Sequence, residues 1–170
     1  MQELPLSKVN DFFENQLKQV VGKLQPDLRP LWGLMTPQHA IEHLTRTLRG
    51  AADKPPFAVH TPVEKLPKYR LFLFHNLAIV HNYKSPVMDR EKPPALVHSD
   101  WPAAMDAFWK AWEEFEEFFK NHPGVSTDNA VFGPLTQEEW RRFHFKHFVH
   151  HCSQFGVTTS EAHGLVGQPG

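Results

Sequence analysis

The chain has 170 residues, enough for one domain with a substantial core, and it balances 18 Lys and Arg against 19 Asp and Glu. That near-neutral charge excludes the basic footprint of a nucleic-acid-binding protein. The single cysteine, Cys152, excludes an intramolecular disulfide and a Cys-rich zinc site, and no apolar run reaches the length of about 18 residues that a membrane span needs.

The N-terminus, MQELPLSKVNDFF, has acidic and polar residues where a secretory signal has its apolar core, so a cytoplasmic protein is expected. Residues 6–24 predict an amphipathic helix. Val9, Phe12, Phe13, Leu17, Val20, Val21 and Leu24 recur there at spacings of three and four. Pro26 and Pro30 enforce a loop, with Trp32 to Met35 packing it onto the body. Thr36 as N-cap and Pro37 at the first helical position open a second helix, running to about Ala52, with Ile41, Leu44 and Leu48 on its apolar side. Pro55, Pro56, Pro62 and Pro67 put residues 53–68 in a loop. Residues 69–81, YRLFLFHNLAIVH, are apolar nearly all round and predict a buried third helix. A second Pro-rich loop covers 82–100.

Ser99 or Asp100 caps a fourth helix, from about Trp101 to Asn121, which packs through Phe108, Trp112, Phe115 and Phe119. Its Glu113, Glu114, Glu116 and Glu117 are mostly a solvated face. Thr136 and Glu139 form a capping box that opens the last helix, and Gly156 ends it. Residues 157–170 predict a small, polar, flexible tail. The fold class is all-α, with no strand pair and no internal repeat, and an antiparallel helical bundle is the simplest architecture that buries these faces.

The last helix carries His144, His147, His150 and His151. At about 100° per residue, His151 lies about 40° from His147 around the axis, and Gln154 about 20° on the other side. Trp140 and Phe143 share that stripe. Two imidazoles four residues apart can hold one metal ion from a single helix face. His39 and His43 form a second such pair, with His43 bordering the apolar arc. Against this stands the ordinary role of histidine as a satisfied core or surface residue, in a chain with 12 of them. Imidazoles suit zinc, or Ni(II) or Fe(II), and three of them leave positions for water or substrate. Gln154 either orients a ligand or bound water, or makes a plain helix-end hydrogen bond. Cys152, about 140° from His147, reads as a packing thiol. His144 and His150 flank the stripe by about 60° on opposite sides and fall on its rim. His75 and His81 read as core or helix-end residues.

MTPQHAIEHL (35–44) and FGPLTQEEWRRFHFKHFVHHCSQFGV (132–157) resemble the DinB-like, or YfiT-like, metalloenzyme superfamily. The similarity is to the branch with a C-terminal Phe-Gly-x-Leu-Thr…Trp…His-x3-His-x2-Gln-Phe-Gly block, and it spans nearly the whole chain. It implies an up-down-down-up four-helix bundle over residues 1–156, with Pro-rich connecting loops and one extra short helical segment. It implies a metal held by His43, His147 and His151 and leaves His39, His144 and His150 out of the ligand set. Gln154 matches the block's glutamine without being given a role by it, and is carried as a catalytic-site candidate behind the ligands on its position in the stripe. Relatives include low-molecular-weight thiol transferases and a thiol-dependent isomerase. The implied function is therefore a metal-dependent transferase- or hydrolase-like enzyme that activates a thiol or water for attack on a small electrophile. The implied cofactors are a divalent ion, Zn or Ni before Fe, and a low-molecular-weight thiol cosubstrate. The expected partners are a small-molecule substrate and a second copy in a homodimer, with no nucleic acid and no membrane. The alternative is a non-catalytic helical module, metal-binding or stress-responsive. Residues 124–131 are longer than the branch leads one to expect, and a loop there would reshape access to the site.

Overall fold

The computed structural model describes residues 1–83, 85, 86, 88 and 91–167. Among these the chain is mostly helical, with one small two-stranded sheet. The first predicted helix forms as α1 (Leu6–Asp11), a π-helical turn (Phe12–Gln16) and α2 (Leu17–Gly22) in unbroken succession. The wider turn re-phases the apolar stripe, and Val9, Phe12, Leu17 and Val21 are all buried.

Helix α3 (Pro37–Ala51) starts where its cap chemistry demands. The Thr36 side chain accepts from the His39 backbone N–H, and the His39 ring accepts in turn from the Thr36 N–H. His39 thus takes the part that Glu or Gln plays in an ordinary capping box. Helix α5 (Trp101–Asn121) begins on Asp100, whose carboxylate accepts from Ala103 N at 2.9 Å. It packs along α3, and Phe108, Ala111 and Phe115 of α5 and Ile41, Leu44 and Leu48 of α3 are all buried. Each of the Phe, Leu and Ile side chains contributes about 1.5–3 kcal/mol by leaving water.

The third predicted helix differs from expectation. Helix α4 (Leu66–Phe74) follows a 3-10 turn, Val63–Lys65, and stops at Phe74. His75 is extended, and the chain beyond it pairs with others: His75 with Glu3, and Leu77 with Val166. Of the α4 side chains only Leu73 is buried. The uniformly apolar sequence lines a cleft instead of filling a core. The early stop has a chemical cause. The fully buried Lys146 ammonium donates to the carbonyls of Phe72, His75 and Leu77 at 2.6, 2.6 and 2.7 Å, and sits 3.8 Å from the Phe72 ring centroid. All three of its N–H bonds are used. Burial, with Arg142 nearby, pushes its pKa down to about 7.

A strand pair that the sequence did not signal occupies the 124–135 region: β1 (Thr127–Asn129) pairs antiparallel with β2 (Gly133–Leu135). Strands of three residues are too short to show alternation. The hairpin is bolted to the helices through Thr127, whose hydroxyl donates to Ala51 O at 2.7 Å and accepts from Trp140 Nε1 at 2.8 Å. Helix α6 (Gln137–Gln154) opens on the expected Thr136–Glu139 capping box, and Gly156 (φ +70°) turns the chain out of it. Phe145, Phe148, Val149 and Cys152 are buried, with Phe12 against Phe145 and Phe108 against Phe148.

The tail also differs from expectation. Residues 157–167 turn back onto the body through a 3-10 turn, Glu161–His163, because Leu165 finds a buried site and Val166 exchanges backbone hydrogen bonds with residues 76 and 78. Residues 168–170 lie outside the described residues. Among the described residues no helix is long and apolar enough to cross a membrane.

Candidate metal centre

Helices α3 and α6 pack so that the inward edge of one meets the histidine stripe of the other. His43 Nε2 lies 2.9 Å from His147 Nε2, which lies 3.2 Å from His151 Nε2. Nitrogens bound to one ion at about 2.0–2.1 Å sit roughly 2.9–3.4 Å apart, and both spacings fall in that range, while all three ligand atoms lie within 4.8 Å of one another. The three form a group able to hold a metal ion. His147 and His151 are each only 7% exposed.

Burial holds all three rings in the neutral state that ligation requires. It keeps His43 and His147 well below the ordinary histidine range, helped by crowded imidazoles that cannot all be protonated together and, at His43, by Arg46. It brings His151 down to about 4, with Gln154 opposing. Gln154 has its orientation fixed. Its amide nitrogen donates to the Trp32 carbonyl at 3.0 Å, so its oxygen faces His151 Nδ1 at 3.0 Å. That oxygen only accepts, so the His151 proton sits on Nδ1 and the Nε2 lone pair points at the cluster. The Trp32 loop is held in turn by Leu31 N, which donates to Gln154 O at 2.7 Å. Gly33, at φ +73°, brings the backbone so close that a Cβ there would stand 3.0 Å from the Gln154 amide.

The remaining accounts are less complete. His147 Nδ1 is buried without a hydrogen-bond partner. His43 Nδ1 has only the Arg46 guanidinium, at 3.4 Å. The His147 Nε2 faces both other rings, yet in a neutral imidazole it is either one donor or one acceptor, and the His151 Nε2 carries no proton, so hydrogen bonds cannot satisfy both contacts. The donor set therefore fits a cation that accepts all three lone pairs.

Residues 36–158 match a family described as protein of unknown function, DUF1569. The chain belongs to that family. The DUF1569 region encloses His43, His147, His151 and Gln154, together with helices α3 to α6. No curated protein and no solved structure matches the chain.

Of the other histidines, His39 is a helix cap and stands apart from the cluster. His144, read from sequence as rim, is buried in the core, stacked on Trp140 and edge-on to Phe115, and burial pushes it down to about 3. His150 does line the cleft beside Trp32, which stacks on His81 at 3.6 Å. Cys152 is buried, its thiol pushed up to about 12, and has no thiolate character at neutral pH.

The cluster opens onto a cleft of about 1110 Å³. Its apolar wall includes Phe72, Phe132 and Phe143, and Asn129 to Val131 complete one side, so the 124–131 segment does shape access. Sequence reading missed Arg46, which lines the cleft one turn beyond His43, because a charged residue on a helix ordinarily signals only a solvated face.

Proposed function

We propose that this protein is a metal-dependent enzyme of the DinB-like kind, its helices forming an up-down-down-up four-helix bundle around a three-histidine centre. The observation that carries the reading is the convergence of His43, His147 and His151 Nε2 on the wall of a large cleft. A structural ion is normally enclosed by four protein ligands, whereas three leave room for a reactant. A divalent ion, Zn or Ni before Fe, supplies Lewis acidity that lowers the pKa of a thiol or water.

The chain's own residues set the conditions. His43, His147 and His151 are kept neutral by burial, so protons compete weakly for them. Gln154 fixes the His151 ring and its tautomer. Phe72, Phe132 and Phe143 give the reactants a low-dielectric wall, which strengthens electrostatic effects inside. Among the described residues no carboxylate lines the cleft to serve as a base. This favours a nucleophile acidified by the ion itself, and a thiol loses its proton more readily than water. The reading is thus a transferase- or hydrolase-like reaction on a small electrophile, with a low-molecular-weight thiol as the favoured cosubstrate. It belongs to a cytoplasmic protein that works as a homodimer.

The decisive experiment is elemental analysis of protein purified without a His-tag. About one divalent ion per chain is expected, and His147→Ala should lose it. Full metal retention in that variant would sink the assignment.

A further inference from the structure

Among the described residues the charge lining the cleft is of one sign. Arg46, Lys68 and Lys92 line it, and among the described residues no Asp or Glu does. Acids make up 19 of the 170 residues, so a lining of that size drawn at random would hold about four. None of the three cations forms an ion pair among the described residues, although Arg70, Arg141 and Arg142 elsewhere all do. Arg46 is exposed to the cleft, with His43 Nδ1 at 3.4 Å as its hydrogen-bonding neighbour.

That neighbour is a poor partner for a guanidinium once His43 ligates through Nε2. A neutral ring bound at Nε2 carries its proton on Nδ1, so Nδ1–H and the Arg46 N–H become two donors side by side with no acceptor between them. Metal-binding histidines usually direct this second N–H at a carboxylate or carbonyl. Among the described residues His43 Nδ1 is offered neither.

We propose that the missing acceptor comes from the ligand: the cleft binds a small organic carboxylate with an apolar body, its carboxylate taken up by Arg46 beside His43. This rests on the three-histidine reading for its setting, but the anion site itself is the chain's own. A single Arg fork matches a carboxylate bidentately. An Arg fork also takes a phosphate, but phosphate sites commonly add a glycine-rich loop or a helix N-terminus, and Arg46 sits within α3, away from its N-terminal cap. Phe72, Phe132 and Phe143 supply the complementary surface for the apolar body, and Lys68 and Lys92 add long-range attraction at the walls.

The test uses 4-phenylbutyrate and its neutral isostere 4-phenylbutanamide, titrated calorimetrically into the full chain, both chelator-treated and metal-loaded. The acid is expected to bind about tenfold or more tighter than the amide in both states, by a charge-assisted contact, with the larger ratio in the loaded protein. Arg46→Gln should reduce the ratio to near one, and Arg46→Lys should restore part of it. Equal binding of the two compounds, binding of neither, or a preference that survives Arg46→Gln overturns the proposal. An Arg46-dependent preference in the chelator-treated protein, unchanged on metal addition, supports the anion site while counting against the metal reading, so the two fail separately.

Discussion

His151 Nδ1 donates to Gln154 Oε1 across 3.0 Å, one turn apart at the end of α6. The contact matters because Gln154 cannot turn over. Flipping its amide would set an oxygen against the Trp32 carbonyl, which only accepts. The tautomer of a proposed ligand is therefore dictated by a loop more than a hundred residues upstream. Gln154→Leu removes this control and should weaken divalent-ion affinity about 10- to 100-fold, as loss of such supporting bonds does elsewhere. Competition with a chromogenic chelator measures it. Unchanged affinity would reduce Gln154 to a helix-end residue.

The two His-x3-His pairs should separate cleanly. His43→Ala should abolish stoichiometric ion binding, since it removes one of three converging nitrogens. His39→Ala should keep the ion. It removes the acceptor for Thr36 N–H and should lower stability by about 1 kcal/mol, the usual scale for a cap. Equal ion loss in both variants would contradict the separation of cap from cluster.

These pairs show how far the sequence could be read. Local chemistry sufficed where it alone decides the outcome. Thr36 with Pro37, Asp100, and Thr136 with Glu139 start helices whatever lies around them. The 3.6-residue period aligned His147, His151 and Gln154, because all three share one helix. His43 lies 104 residues from His147. No periodicity links them, and the pairing was available only through resemblance. Residues 69–81 misled because an apolar surface that lines a cleft has the composition of one that fills a core. Lys146 gave no signal, since its partners are backbone carbonyls some 70 positions away.

Lys146 should prove a stability residue. Lys146→Met keeps much of the volume but strands three carbonyls that the ammonium now satisfies. Leaving such groups without partners costs about 1–3 kcal/mol each before relaxation or water entry, so a net loss of about 3 kcal/mol or more is expected in urea unfolding. The end of α4 should loosen with it, visible as faster amide exchange at Asn76 and Ala78. A variant as stable as the wild type would show that the carbonyls find other donors readily.

His144 should make stability depend on pH. Its ring is fully buried, and neither nitrogen has a hydrogen-bond partner. Burial, with a smaller contribution from Arg141, lowers its pKa to about 3 from the usual 6.5. Between those values the unfolded chain binds a proton that the folded chain refuses. Stability therefore falls as pH drops below about 6.5, at up to about 1.4 kcal/mol per pH unit from this one group. His144→Phe keeps the ring stacked on Trp140 and removes the proton. Overpacking will shift its absolute stability, by about 1–3 kcal/mol, so the quantity to compare is the change with pH. With a chelator present throughout, unfolding free energies at pH 7.5 and 5.0 should differ by about 2 kcal/mol less in the variant than in the wild type. The other buried histidines are present in both proteins and largely cancel, His147 being the one whose shift includes a smaller contribution from His144. Identical pH dependence would mean that His144 titrates in the folded protein as it does in water, and that its core site is wetter than its packing against Trp140 and Phe115 allows.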